Sequence, residues 1–299
     1  MRRTWALLAV LGVSTWAGTA HAGVDIRLAG TRGDGEGILF RCDPAPCQPD
    51  NAGFRSLMTE LAYVVAPRIA GPAETLGHSG FELGLGWAGS FVSNEDWWRL
   101  TERGQDEQAP TQFFNTLRLD LQKGLPLSLQ VGAHVQWVLD SQMVAPGIEL
   151  RWAFQEGYAH IPDFSLRAAV NTLLGTRDFD LTTFSADFVV SKGFTVGRAV
   201  RLAPYLGWSI LLIDARSEVI DPTPTTFVAS ESGLRPDVEN DFVFADVDFG
   251  DDLNQRVALG LRATFSVVAV GVQGDLQLFS DGEALGPVGT VSTQLALSY

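Results

Sequence analysis

From residue 79 onward, apolar side chains recur at every second position. In LSLQVGAHVQWVL (127–139), Leu127, Leu129, Val131, Ala133, Val135, Trp137 and Leu139 share one face, opposite Ser128, Gln130, Gly132, His134 and Gln136. A period of two is that of an extended strand, whose successive side chains point to opposite sides. The pattern returns in FELGLGWAGSF, NTLRLDLQ, GIELRWAFQ, FSLRAAVN, TTFSADFVV, RLAPYLGWSILL, RVALGLRATF, VGVQGDLQL and VSTQLALSY, making ten runs. Each approaches the roughly 9–11 residues with which a tilted strand crosses a bilayer. An all-β fold is predicted.

The second face decides what the apolar face touches. It holds Gly, Ala, Ser, Thr and Gln, with charged and hydrogen-bonding residues spaced among them. These are Glu82, Arg118, Asp120, Gln130, His134, Gln136, Glu149, Arg151, Arg167, Asp187, Arg201, Arg256, Arg262 and Asp275. Counting Asp140 at the end of its run, six acids balance six arginines, and lysine is absent from the set. A soluble surface usually carries mixed lysine and glutamate facing bulk water. Balanced charge among small residues suits a confined, wet interior instead, so the apolar face is expected to look outward to lipid. The charged set reads either as a network filling the lumen or as a selectivity filter. Aromatics near strand ends (Phe91, Trp137, Trp152, Phe154, Trp208, Phe279) fall where interfacial girdles would lie.

The last run, VSTQLALSY, keeps Val291, Leu295, Leu297 and Tyr299 on one face and ends on an aromatic residue. Through this motif and the patterning of 79–299, the chain resembles the Gram-negative outer-membrane β-barrel proteins, at superfamily level. Their terminal aromatic is usually Phe; here it is Tyr. The resemblance implies an antiparallel up-and-down transmembrane barrel in the cell outer membrane, surrounded by lipid and lipopolysaccharide. It also implies that the final strand is read by the barrel-assembly machinery.

The N-terminus agrees with export. Arg2 and Arg3 precede an apolar stretch, and Ala20-His21-Ala22 fits a cleavage site, so residues 1–22 are predicted to be a signal peptide. Its removal takes two of 21 basic side chains and none of 35 acids, leaving a net charge of −16 (19 against 35). Such acidity argues against nucleic acid as a partner. Cys42 and Cys47 flank a Pro-rich turn in an exported chain and are predicted to form a local disulfide. Within the segment 23–78, Phe54, Leu57, Met58, Leu61 and Val64/Val65 follow helical spacing up to Pro67. This amphipathic helix would plug the lumen or rest at the mouth of a ten-stranded barrel spanning 79–299. If 57–66 were instead a strand, paired with another from 24–41, the barrel would have twelve.

Short turns at QKGLP (122–126) and SKGFT (191–195) are expected on the periplasmic side, along with both termini. That leaves 93–111, 140–145, 175–179, 214–253 and 280–287 as extracellular loops. The acidic loop includes Asp237, Glu239, Asp241, Asp246, Asp248, Asp251 and Asp252. Its last four acids are weak candidates for a divalent cation, alone or bridging to lipopolysaccharide phosphates; the spacing is not that of an EF-hand. Asp96-Trp97-Trp98 reads as an interface anchor. No cofactor is expected. His134 reads as a hydrogen-bonded wall residue, and no triad-like or HExxH spacing accompanies it, so an enzyme is not expected. The function read from these residues is a narrow passive channel or a structural barrel of the outer membrane. The alternatives are a soluble exported ligand-binding barrel or sandwich and a lipid-modifying membrane enzyme.

Overall fold

The computed structural model describes residues 23–31, 37–42, 46–197, 199–222, 227–230, 233–236, 240–279 and 288–299. The predicted signal peptide, the loop 280–287, Asp237 and Glu239 lie outside the described residues. Ten strands form the wall: β1 (Phe81–Phe91), β2 (Phe113–Leu125), β3 (Leu129–Val138), β4 (Val144–Gln155) and β5 (Asp163–Leu173). They continue as β6 (Phe179–Ser191), β7 (Val200–Ser217), β8 (Asn254–Phe265), β9 (Val268–Phe279) and β10 (Gly289–Ser298). Each pairs antiparallel with its sequence neighbours. The ring closes where β10 pairs with β1, from Gly289 opposite Phe91 to Ser298 opposite Glu82. Closure leaves no unpaired edge for the bilayer to expose. The strand count is ten, not twelve.

Two turns sit a few residues later than the sequence suggested. Between β2 and β3 the chain reverses at Pro126–Ser128, with Leu127 and Ser128 at φ 63° and 55°, so Leu127 belongs to the turn and not to the strand face. After β6, Phe194–Val196 pairs with the first residues of β7, and the reversal follows Val196. These turns, with those after β4 and β8, lie at one end of the barrel beside Phe81 and Tyr299; this is the turn end. The long connections gather at the opposite, loop end.

The N-terminal segment does not sit below the wall. It runs through it. Residues 23–31, 37–42 and 46–50 lie at the loop end, where Ile26 bridges to Thr101 and the Leu28 amide donates to Asp178 Oδ2 at 2.8 Å. Cys42 and Cys47 are disulfide-bonded there. Helix α1 (Asn51–Val65) then enters the lumen, its first turn capped by Asp50 Oδ1 accepting from the Gly53 amide at 3.0 Å. Ala66 turns to extended backbone ahead of Pro67, as a residue preceding proline must, and the helix stops. Residues 66–80 descend to the turn end and join β1. Gly23, the first residue after the predicted signal peptide, is therefore at the end opposite Tyr299, where the expectation put both termini on one side.

A ten-stranded ring is wider than the eight-stranded kind that its own side chains fill, and the added width admits one helix. From Leu57 to Val65 the helix is buried on all sides, and Phe54, Leu57, Met58, Leu61 and Ala62 have no exposed surface. The inner wall is correspondingly two-toned. Toward the loop end it is apolar, with Phe114, Val138, Leu173, Phe179, Leu181, Leu211 and Ile213 packed around α1. Phe54 stacks on Phe244 of the long loop at 4.6 Å, and Phe242 meets Phe40 at 5.3 Å, so residues 242–244 of that loop cover the start of the helix. The polar lining expected for the whole inner face occupies only the half nearer the turn end.

Candidate functional site

The polar half of the lumen begins where α1 ends. A helix terminus leaves its last carbonyls without intrahelical partners and carries partial negative charge. Here the wall supplies the donors. Gln136 Nε2 reaches the Val64 carbonyl at 3.1 Å, and Asn171 Nδ2 reaches that of Val65 at 2.6 Å. Below the helix, Arg256 donates to the Pro67 carbonyl at 2.9 Å, and both Arg118 (3.1 Å) and Arg167 (2.9 Å) donate to that of Arg68. Arg151 holds the Pro72 carbonyl at 2.7 Å. Five plug carbonyls are thus bound by side chains of β2, β3, β4, β5 and β8.

Three of these arginines, Arg118, Arg167 and Arg256, are neutralised by wall carboxylates. Arg118 pairs with Asp120 at 2.5 Å and Glu149 at 3.4 Å. Arg167 pairs with Glu149 at 2.7 Å and, more closely, with Asp187; Arg256 reaches Asp187 at 3.9 Å. Gln122 donates to Glu149 at 3.2 Å and accepts from Gln130 at 2.7 Å. Farther round the ring, Arg262 pairs with Glu82, while Gln273 bridges Tyr205 and Asp275 at 2.7 and 2.8 Å. Charges taken out of water are tolerated when paired and hydrogen-bonded, which this network achieves. One acid sits higher, inside the helix: Glu60 Oε2 accepts from the Trp98 indole at 2.8 Å and the Ser93 amide at 3.0 Å. Burial raises the Glu60 carboxyl above its ordinary 4.5, against these opposing bonds.

The outside of the wall is the reverse of the inside. Leu83, Leu85, Trp87, Leu119, Leu121, Val131, Ile148, Leu150, Leu166, Leu206, Leu259, Val270, Leu276 and Leu295 are all exposed in one continuous belt. A soluble protein does not leave apolar surface of this extent in water. Aromatic side chains border the belt. Phe91 meets Phe113 at 4.8 Å toward the loop end, and Trp152, Phe154, Phe164 and Phe188 form a row toward the turn end with ring separations near 6 Å. With its apolar belt outside, charges inside and ring closed, the wall meets the requirements of a bilayer. The chain is a membrane-spanning β-barrel.

No protein-family model and no curated protein matches the sequence of this barrel. Among solved structures it is similar to Ail, the attachment invasion locus protein of Yersinia pestis, at 12% identity and a TM-score of 0.26, covering 74% of this chain and 99% of that one. It is similar to the COG4313 outer membrane channel from Pseudomonas putida F1, at 8% identity and a TM-score of 0.38, covering 78% and 100%. It is likewise similar to the outer membrane protease OmpT from Escherichia coli, at 8% identity and a TM-score of 0.36, covering 77% and 99%. At such scores these likenesses carry nothing further, and the barrel's own surfaces decide its class.

Of the fourteen residues placed on the inner face from sequence, twelve are buried there, and Arg262 is partly buried against Glu82. Arg201 is half exposed at the turn-end rim, where it pairs with Glu74 of the plug. His134 lies opposite Asp120 on β2 and close against Gly147; neither ring nitrogen has a hydrogen-bond partner. It is therefore not the hydrogen-bonded wall residue that was expected. Trp98 is not an interface anchor either: it is buried at the mouth, bonded to Glu60 and 4.9 Å from Phe114. Asp251 and Asp252 bind Arg55 of α1 at 2.9 and 3.2 Å, and Asp246 is exposed. Among the described residues, no group of three or more His, Cys, Asp or Glu converges as a metal site. Val291, Leu295, Leu297 and Tyr299 are all exposed on the outer face of β10. The segment that sequence reasoning missed is 66–76, the non-helical half of the plug, whose backbone is the partner of the wall arginines.

Proposed function

We propose that this protein is a structural barrel of the outer membrane, closed by its own N-terminal segment, and neither an open channel nor an enzyme. The observation that carries this reading is the row of five plug carbonyls bound by five wall strands, continuous with a buried helix above. A segment so held occupies the path a solute would take. Within this reading, residues 1–22 are the exported leader, 23–78 the plug and its outer portion, and 79–299 the wall. The turn end faces the periplasm, so the plug carries residues 23–31, 37–42 and 46–50, with the Cys42–Cys47 disulfide, to the outer face beside the long loops.

The non-catalytic reading is supported by the surroundings of His134, which faces inward beneath the helix, away from lipid and without a bonded acid or hydroxyl. Lipid and lipopolysaccharide meet the apolar belt, and the barrel-assembly machinery engages the exposed outer face of β10. A divalent cation at the acidic loop would depend on Asp246 and Asp248, since Arg55 holds Asp251 and Asp252.

Planar-bilayer recording of the purified chain tests the closure. The wild-type protein is expected to insert without stepwise current, and a chain lacking residues 24–78 to give discrete steps. Steady stepwise conductance from the wild type would contradict the closed barrel.

A further inference from the structure

The plug does not fill the lumen completely. At the turn end a cavity of about 170 Å³ remains between residues 72–76 and the wall. Three arginines line it, Arg151, Arg201 and Arg262, against a single lining carboxylate, Glu74. Glu74 is taken by Arg201, and Arg262 is turned to Glu82 behind it. Arg151 differs from every other buried arginine of the wall. Arg118, Arg167, Arg256 and Arg262 each pair with a carboxylate, whereas Arg151 makes no ion pair among the described residues. Its one bond is from Nη1 to the Pro72 carbonyl at 2.7 Å, and its Nε and Nη2 have no partner although the residue is 3% exposed.

A guanidinium buried with no carboxylate in direct contact is costly, and one with two N–H groups unspent is costlier still. Nε and one terminal nitrogen form the planar fork that matches two oxygens of a carboxylate or phosphate. In a chain of strongly acidic composition, three arginines around one void are also a local reversal of sign. We propose that this cavity is a binding site for a small free oxyanion of phosphate type, with Arg151 as its principal ligand and Arg201 as the residue at its opening. The wall separates the site from membrane headgroups, so the ligand is a solute that enters from the turn end. The anion supplies the charge that Arg151 lacks and ties residues 72–76 to β4, locking the lower plug. The site holds whether or not the barrel conducts.

The test is equilibrium dialysis of the purified full chain in nonionic detergent against labelled inorganic phosphate, at fixed ionic strength. One saturable site per chain is expected, with sulfate competing. Arg151→Gln should weaken binding at least tenfold and Arg201→Gln several-fold, while Arg99→Gln at the loop end leaves it unchanged. Folding of each variant is read from its heat-dependent mobility on gels. Absence of saturable binding in the wild type, or equal binding by folded Arg151→Gln, overturns the site. Should Arg151→Gln not fold, wild-type affinity retained in Arg201→Gln together with no competition by sulfate overturns it equally.

Discussion

Arg167 shows how much the interior asks of single residues. Its side chain has no exposed surface; it binds Glu149 and Asp187 on the wall and the Arg68 carbonyl on the plug. Arg167→Met would keep much of the volume but leave Asp187 with the Ser185 hydroxyl at 3.3 Å and a distant Arg256 as its only cation. Removing one partner of a buried pair leaves an uncompensated charge and costs roughly 3–5 kcal/mol. Urea unfolding of the barrel in vesicles is expected to show a loss of that size for Arg167→Met. A loss near zero would mean that water, not protein, compensates the acids. At this scale the sequence was legible in part. Alternation identifies Arg167 as inward and charged. It cannot show that the other half of its bonding is to backbone, because carbonyls have no signature in a sequence.

At the scale of elements, strands were easier to read than what they enclose. Period two survives in every wall strand because each separates two unlike environments. It weakens in SILLI (209–213), where Leu211 and Ile213 point inward to α1 while Ile210 and Leu212 point outward. That loss of alternation marks the part of the lumen that is dry. The helix spacing of 54–65 was equally visible, but a single stripe does not announce burial on all sides. The plug should also respond to acid through Glu60. Its folded-state value lies above the ordinary 4.5, so folding favours the protonated form. This stabilisation is fully present below 4.5 and is lost as pH rises through the raised folded value. Protection factors of the α1 amides, with the intrinsic exchange rate at each pH divided out, are expected to fall with rising pH in the wild type and to stay flat in Glu60→Gln. Identical profiles would remove Glu60 from the account.

For the whole molecule, the parts form an inverted protein: a belt of leucine and tryptophan on the outside, ion pairs around a threaded chain within. The larger apolar core lies near the loop end, where α1, the 93–111 connection and residues 242–247 meet, and a small second cluster of Ile69, Ala73, Val189, Tyr205 and Ala258 packs the plug lower down. The rest of the interior is held by charge-assisted bonds to the plug. Composition and patterning fixed the class of the wall, while the path of the N-terminal segment through it depended on long-range pairings such as Arg55 with Asp251. Everything rests on which tryptophans touch hydrocarbon. Trp87, Trp137, Trp152 and Trp208 are 40%, 40%, 49% and 41% exposed on the outer wall, whereas Trp98 is 0% exposed at the mouth. The direct measurement is fluorescence of single-tryptophan variants reconstituted in phospholipids with brominated acyl chains. Strong quenching of the four outer-wall tryptophans and an unquenched Trp98 is the expected result; unquenched outer-wall tryptophans would contradict the membrane assignment outright.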